Sequence, residues 1–286
     1  MFQKDLLKDR TILITGGGTG LGRSMALRFA DLGAALFLFG RREDPLKETA
    51  EAIRAKGGRA SYYCGDVRDF AAVENMIAAA EREFGRPFGG IDTLVNNAAG
   101  NFLARTEKLS PNAFNAVVGI VLQGSFHCTL ALARKWIAAG QPGDVLSIVT
   151  TYAAVNSGSG FVVPSACAKA GVLAMTRSLA VEWARHRIRL NAIAPGPFPT
   201  EGAWSRLMPS KDFEERAKNY HPMKRFGRHD ELANLAAYLL SSQSEYINGE
   251  CVIIDGGLWL RGAGEFNDAI DIPDSAWDAF DAGRKK

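Results

Sequence analysis

TILITGGGTGLG, residues 11–22, is the stretch from which the architecture can be read. Thr11 to Thr15 is a β-branched apolar run closed by glycines, and a helical period begins at Leu21 and continues through Met25, Phe29 and Leu32. The local order is therefore strand, glycine turn, helix. Gly16, Gly18, Gly20 and Gly22, with Thr15, Thr19 and Leu21 between them, form a turn in which bare backbone can approach a pyrophosphate. The helix that follows offers its unpaired amides to the same anion. A turn that is merely tight is the competing reading.

Working outward, the same unit recurs. A second strand, about Ala35 to Phe39, ends in GRRED, where a cofactor with a free ribose would want a carboxylate. Gly40 followed by Arg41 and Arg42 instead offers room and guanidinium groups for a 2′-phosphate, which points to NADP(H). Solvated arginines with Glu43 or Asp44 facing the ribose are the alternative. RASYYC, the third strand, leads to Asp66 and Val67, placed to hold an adenine from its edge, or with Asp66 as a helix cap. The fourth strand, IDTLV, runs into NNAAGN. Here Asn97, Ala98, Ala99 and Gly100 let backbone pass close to the cofactor, and Asn96 is expected to tie neighbouring strands.

A long helical stretch follows from Pro111 to Ile137, with Phe114, Val117, Val121, Leu122, Phe126 and Leu130 in its apolar stripe. His127 within it is expected to serve packing. DVLSIVT, the fifth strand, delivers Thr150, Thr151 and Tyr152 to its carboxyl end, where open parallel sheets bind ligands. A helix from Pro164 sets Ser165 and Lys169 four apart on one face. IRLNAIA, the sixth strand, opens into PGPFPT and a polar amphipathic segment, about 196–222, that reads as a substrate lid. A helix over 230–240, the strand CVIID and a tail from about 262 to 286 complete the chain. Alternation throughout predicts an α/β, doubly wound, Rossmann-type parallel sheet of seven strands in a single domain spanning 1–286.

Composition narrows the function. The 286 residues are 47% hydrophobic, enough for a core on both faces of a sheet. The cysteines Cys64, Cys128, Cys167 and Cys251 are widely spaced with no CxxC pair, so neither a metal site nor an iron–sulfur cluster is expected, and a reducing compartment is. Charged residues in MFQKDLLKDR leave no room for a leader before the first strand, and no uninterrupted apolar run of membrane-spanning length is expected. Net charge is +3 with basic and acidic residues interspersed, which argues against a nucleic-acid surface. The expectation is a cytoplasmic protein with neither nucleic-acid nor membrane partners.

Tyr152 and Lys169 are the candidate acid and its cation. Where hydride is added at one carbon, an oxygen or neighbouring carbon must gain a proton or a hydrogen bond, which a phenol can supply. An ammonium about 4 Å away favours the phenolate by roughly 4 kcal/mol at an effective dielectric of about 20.

TGGGTGLG, NNAAG, a lysine on the helix after the fifth strand and PGPFPT together resemble the short-chain dehydrogenase/reductase family over nearly the whole chain. Two departures stand out. Ser165 occupies the place four before the lysine where the family usually has Tyr, and Val121 stands in VLQGSF where it commonly has Asn. NNAAGNFLARTEKLSPNAF, SGSGFVVPSACAKAG, PGPFPTEGAWSRL, ELANLAAYLL and GEFND resemble one branch, the NADPH-dependent 2,4-dienoyl-CoA reductases of mitochondrial type. That resemblance implies Tyr152 as acid, Lys169 holding the nicotinamide ribose, Asn101 hydrogen-bonding the thioester oxygen and Ser165 positioning oxygen or phenol. It also implies Pro195, Gly196, Phe198 and Thr200 along the cofactor, an acyl-CoA thioester substrate, a role in β-oxidation of unsaturated fatty acids, and a homotetramer. The segment after Tyr152 is slightly longer than in that branch, so an ungapped match sets Ala154 at the acid's place. Rival readings are a 2-enoyl-CoA or 3-oxoacyl-CoA reductase of the same fold and a non-catalytic NADP-binding protein.

Overall fold

The computed structural model describes residues 3–84, 90–154, 158–200, 204 and 210–284. In chain order the elements are β1 (Thr11–Thr15), α1 (Gly20–Asp31), β2 (Ala35–Gly40), α2 (Glu43–Ala55), β3 (Arg59–Cys64), α3 (Phe70–Phe84) and β4 (Thr93–Asn96). Then follow α4 (Pro111–Val118), α5 (Gly124–Ala139), β5 (Gly143–Ile148), α6 (Thr151–Ala154), α7 (Val163–Glu182) and β6 (Ile188–Pro195). The last are α8 (Lys211–Tyr220), α9 (His229–Leu239), β7 (Cys251–Ile254), α10 (Leu258–Ala263) and α11 (Asp274–Arg284).

All seven strands lie in one sheet, ordered β3-β2-β1-β4-β5-β6-β7, and every neighbouring pair is parallel. Strand alternation divides the core. Ile12, Ile14, Leu36 and Leu38 face Met25, Phe29, Leu232 and Ala236 on one side, while Leu13, Phe37 and Phe39 face Val73, Ile77, Leu132 and Trp136 on the other. Burial on both faces explains why the strands read as continuous apolar runs. The order reverses between β1 and β4, which opens a crevice at the carboxyl ends of these strands.

Three expectations need correction. The stretch from Pro111 is not one regular helix: Gly119–Gln123 forms a π turn between α4 and α5. The extra residue shifts the helical phase, so Phe126, expected in the apolar stripe, is 45% exposed while Cys128, Leu132 and Trp136 are buried. The span Pro111–Ala139 is, by length and composition, apolar enough to cross a membrane, contrary to the expectation; 56% of that window is buried within the fold. Finally, β5 ends at Ile148, so Tyr152 rides on the one-turn helix α6 beyond the strand. The predicted lid falls partly on 201–203 and 205–209, which lie outside the described residues.

Candidate active site

The glycine turn after β1 is shaped for backbone contact. Gly16 and Gly20 have φ of 67° and 53°, conformations that a side chain disfavours. A Cβ at Gly22 would lie 2.2 Å from the Gly16 carbonyl oxygen, so α1 could not approach the turn with any other residue there. Thr19 caps α1 without a side-chain hydrogen bond, and no acidic residue occupies the first helical turn. The unpaired amides and positive helix end therefore remain available to an anion. Thr200 sits at the same place, its methyl 3.3 Å from a Cβ built on Gly20.

Thr15 and Asn97 turn out to fasten the crevice rather than to present polar atoms into it. The Thr15 hydroxyl accepts from the Asn97 and Ala98 amides at 3.0 Å each, and Asn97 Nδ2 donates to the carbonyls of Thr15 and Gly16 at 3.0 and 3.3 Å. The strand-tying role expected of Asn96 thus falls to Asn97. Asn96 instead donates to Thr129 of α5 at 2.9 Å. Small side chains at Ala98, Ala99 and Gly100 leave the crevice mouth clear. Leu21 points away from the turn and packs against the core.

Beyond β2, Arg41 and Arg42 are exposed. Of the two carboxylates that could have faced a ribose, Glu43 accepts from the Tyr62 hydroxyl at 3.4 Å. Asp66 is clasped by Arg68, whose guanidinium donates to both carboxylate oxygens at 2.6 to 3.1 Å. This clasp holds the Asp66 carboxyl below the usual range, with Arg41 adding to the effect. Arg68 escaped the sequence reading, because an arginine two residues past an aspartate has no pattern that sets it apart from surface. Val67 is buried, and its carbonyl lies 3.0 Å from Nδ1 of His127, so the histidine braces the adenine-side turn.

On the other side of the crevice three predicted residues meet. Tyr152 OH lies 3.0 Å from Ser165 Oγ on α7 and 3.3 Å from Asn101 Nδ2, which donates to it. Asn101 is held in that orientation because its own Oδ1 accepts from the Phe102 amide at 2.9 Å. The loop is pinned in turn by Ala104, whose amide donates to the Phe161 carbonyl at 2.9 Å, just before α7. Ala154, the other position open to the acid, carries no proton to give. One helical turn beyond Ser165, Lys169 is buried and donates to the carbonyl of Ile148, the last residue of β5. Burial pushes its ammonium down to about 8. A lysine so desolvated gains from any further acceptor or negative charge set against it.

Pro195 and Gly196 continue from β6 beside β7, with the Gly196 amide donating to Ile254 at 2.9 Å. Phe198 is buried and packs under Gly227 rather than facing the crevice, so only its backbone can serve a ligand. His229 bridges this segment to α1: its ring nitrogens lie 2.7 Å from Ser24 Oγ and 2.6 Å from the Pro199 carbonyl. A cleft of about 690 Å³ lies at the amino ends of β1–β3, lined by Lys8, Arg10, Lys56 and Arg59. It lies at the carboxyl ends of α1 and α2, holds none of the candidate site residues, and is remote from the crevice. No grouping of three or more His, Cys, Asp or Glu suited to a metal occurs among the described residues.

A family profile described as enoyl-(acyl carrier protein) reductase matches residues 16–259. The chain is 45% identical over 256 residues to a Bacillus subtilis (strain 168) protein named probable 2,4-dienoyl-CoA reductase, (2E)-enoyl-CoA-producing, covering 89% of this chain and 98% of that protein. It is 37% identical over 266 residues to the Arabidopsis thaliana peroxisomal 2,4-dienoyl-CoA reductase, (3E)-enoyl-CoA-producing, covering 91% and 87%. Among solved structures, a short chain dehydrogenase from Bacillus anthracis superimposes with a TM-score of 0.79 at 41% identity, covering 88% of this chain and 98% of that one. A gluconate 5-dehydrogenase from Burkholderia cenocepacia in complex with NADP and tartrate gives 0.81 at 31% identity, covering 90% and 98%.

Proposed function

We propose that this chain, which belongs to the short-chain dehydrogenase/reductase family, is an NADPH-dependent 2,4-dienoyl-CoA reductase. The observation that carries the reading is the meeting of Tyr152, Ser165 and Asn101 beside Lys169, with serine in the helix position and the phenol brought in from α6. An alkyl hydroxyl at position 165 is a poor proton donor, so the acid must be the phenol. Two relatives from different kingdoms bear the dienoyl-CoA reductase name.

When bound, the dihydronicotinamide supplies hydride to the δ carbon of the diene, the far end of the conjugated system. The glycine turn and the Thr19 end of α1 would hold its pyrophosphate, Arg41 and Arg42 its 2′-phosphate, and Lys169 its ribose hydroxyls. Negative charge then develops on the thioester oxygen, where Asn101 Nδ2–H and the Tyr152 hydroxyl are ready to donate. Tyr152 yields its proton to carbon, through water where the distance requires it, and Ser165 fixes the phenol's direction. Lys169 stabilises the tyrosinate left behind until solvent returns the proton. Protonation at the α carbon leaves a 3-enoyl thioester and at the γ carbon a 2-enoyl thioester; the named relatives include both outcomes. We read the assembly as a homotetramer, supported by exposed Phe126 on α5 and Val181 on α7.

The test is NADPH oxidation with 2,4-hexadienoyl-CoA, a 2-enoyl-CoA and a 3-oxoacyl-CoA, with the product identified by mass and NMR. Turnover of the dienoyl substrate alone is expected. Turnover confined to either of the others, or NADPH binding without any turnover, would replace this reading.

A further inference from the structure

The His229 imidazole ties together two walls that meet at the glycine turn. His229 is the first residue of α9, and its ring reaches an element on either side: Nδ1 lies 2.7 Å from Ser24 Oγ of α1, and Nε2 lies 2.6 Å from the Pro199 carbonyl oxygen. That carbonyl can only accept, so Nε2 carries a hydrogen and donates. Ser24 stands one turn into α1, and its hydroxyl is also 3.1 Å from the carbonyl oxygen of Gly20, the residue that opens the helix.

The helix that carries the ring is fixed by other contacts. Glu231 accepts from the Arg225 guanidinium at 2.8 and 2.9 Å and from the Arg228 amide at 2.8 Å, which closes the start of α9. Leu232, Ala233 and Ala236 pack in one cluster with Met25 and Phe29 of α1, and Arg28 donates to Asn234 at 2.8 Å. The imidazole is therefore held at a set place relative to α1. Just before it, the chain runs beside the proline-rich loop: the Gly227 amide donates to the Pro197 carbonyl at 3.1 Å, and two residues on His229 takes the Pro199 carbonyl.

Thr200 follows at once, its methyl 3.3 Å from a Cβ built on Gly20. A proline ring fixes φ but leaves ψ to be set by the surroundings. At Pro199 that one torsion decides both where the carbonyl points and where Thr200 leaves the loop. The bond from Nε2 thus fixes Thr200 over an α1 terminus whose cap makes no side-chain hydrogen bond and whose first turn has no acidic residue.

We propose that His229 is a positioning residue for the dinucleotide: by fixing the Pro199 carbonyl it holds Thr200 against the Gly20 end of α1, so that the pyrophosphate and nicotinamide portion is gripped between them. This role rests on the reading of the glycine turn as an NADPH site. It separates the grip on that portion from the grip on the adenosine 2′-phosphate, which falls to Arg41 and Arg42. A loop left unfixed must be ordered when the ligand binds, and the cost appears as lost affinity.

The experiment measures dissociation constants of NADPH, by fluorescence titration, and of adenosine 2′-monophosphate, by calorimetry, in the full-length protein as wild type, His229→Asn and His229→Gln. Asparagine sets its amide near the place of Nδ1 and glutamine near that of Nε2, so glutamine keeps the bond to Pro199 and asparagine does not. His229→Asn is expected to weaken NADPH about tenfold and leave adenosine 2′-monophosphate within about twofold, and His229→Gln to restore NADPH to within about threefold of wild type. Equal weakening of both ligands, unchanged NADPH binding in His229→Asn, or a His229→Gln variant as weak as His229→Asn overturns the proposal. Should His229→Asn not fold, His229→Phe, which keeps a ring and loses both bonds, takes its place with the same expectations. Wild type that fails to bind NADPH defeats the cofactor reading itself, whereas wild-type binding of both ligands with no discrimination among the variants removes only the role of His229.

Discussion

The two halves of the crevice are built on different principles. On the β1–β4 side, polar groups satisfy one another: Thr15, Gly16, Asn97 and Ala98 form a closed set of hydrogen bonds, and the glycine turn leaves only backbone exposed. On the β5–β7 side, Trp204 Nε1, His221 Nδ1 and Arg261 Nε are buried without partners and large apolar side chains remain open; on the β1–β4 side the counterpart among the described residues is Asn96 Oδ1 at the end of β4. An unpaired buried polar atom is costly, and so is open apolar surface. The first half closes most of its polar groups on one another, whereas the second leaves more polar atoms and apolar surface uncovered.

That contrast can be challenged by substitution. The largest effect is expected on the hydrogen-bonded hydroxyl of the second half. Tyr152→Phe should lower kcat by roughly 10²–10⁴-fold while leaving the NADPH dissociation constant within about twofold, read by steady-state kinetics and fluorescence titration. A comparable change in NADPH affinity would mean that the two halves are not separable.

Lys169 sits at their junction, and its effect on stability has a definite sign. Its folded pKa, about 8, lies below the value of about 10.4 in an unfolded chain, so the buried ammonium is a penalty. The penalty is fully present below pH 8, and it disappears as pH rises through 8 towards the unfolded value, because the unfolded state then holds the extra proton. Lys169→Met should therefore lower kcat, by less than Tyr152→Phe does, yet raise stability at pH 7 by up to about 3 kcal/mol, less the lost bond to Ile148, with the gain shrinking towards pH 10. Urea melts at the two pH values check this, and a destabilised variant at pH 7 would contradict it. In the wild-type protein, kcat/KM should decline as pH rises through about 8, where free enzyme loses the cation.

The remaining effects are smaller. Replacing Arg41 and Arg42 together by serine should weaken kcat/KM for NADPH by about 10–100-fold and leave NADH within a few fold, as expected for lost charge-assisted bonds to a phosphate. Equal losses with both cofactors would count against a 2′-phosphate site. Asp271→Asn should leave kcat and KM for the thioester within about twofold, read by steady-state kinetics, because exposed ion pairs contribute little. Lys224 and Arg261 hold the Asp271 carboxyl below its ordinary range, so this clasp is present at neutral pH and weakens only as pH falls through that lowered value.

Much of the fold was legible because it rests on short-range pattern. β3 spans the RASYYC stretch as expected, α9 lies within a residue of its expected bounds, and the seven strands form the parallel sheet expected from alternating β and α units. The π turn at Gly119–Gln123 was not legible, since an apolar stripe drawn at regular helical period carries no sign of one inserted residue. Arg68 and Arg261 were missed for a related reason. Their partners, Asp66 and Asp271, are close in sequence, but what gives each pair meaning is a third surface: the α4 edge beside Gly119 for one, Tyr220 for the other.

The amino-acid order was enough to establish the parallel sheet, the phosphate-cradling turn and the Ser165–Lys169 helix face, because strand period, glycine spacing and a four-residue helical step are properties of neighbours along the chain. It left open whether Tyr152 or Ala154 stands at the acid's position, and it gave to Asn96 the fastening role that Asn97 takes. What the tertiary structure decided is which side chains meet: the sheet order brings the end of β5, the loop after β4 and the start of α7 to one place, and there Tyr152, Asn101 and Ser165 come within hydrogen-bonding reach.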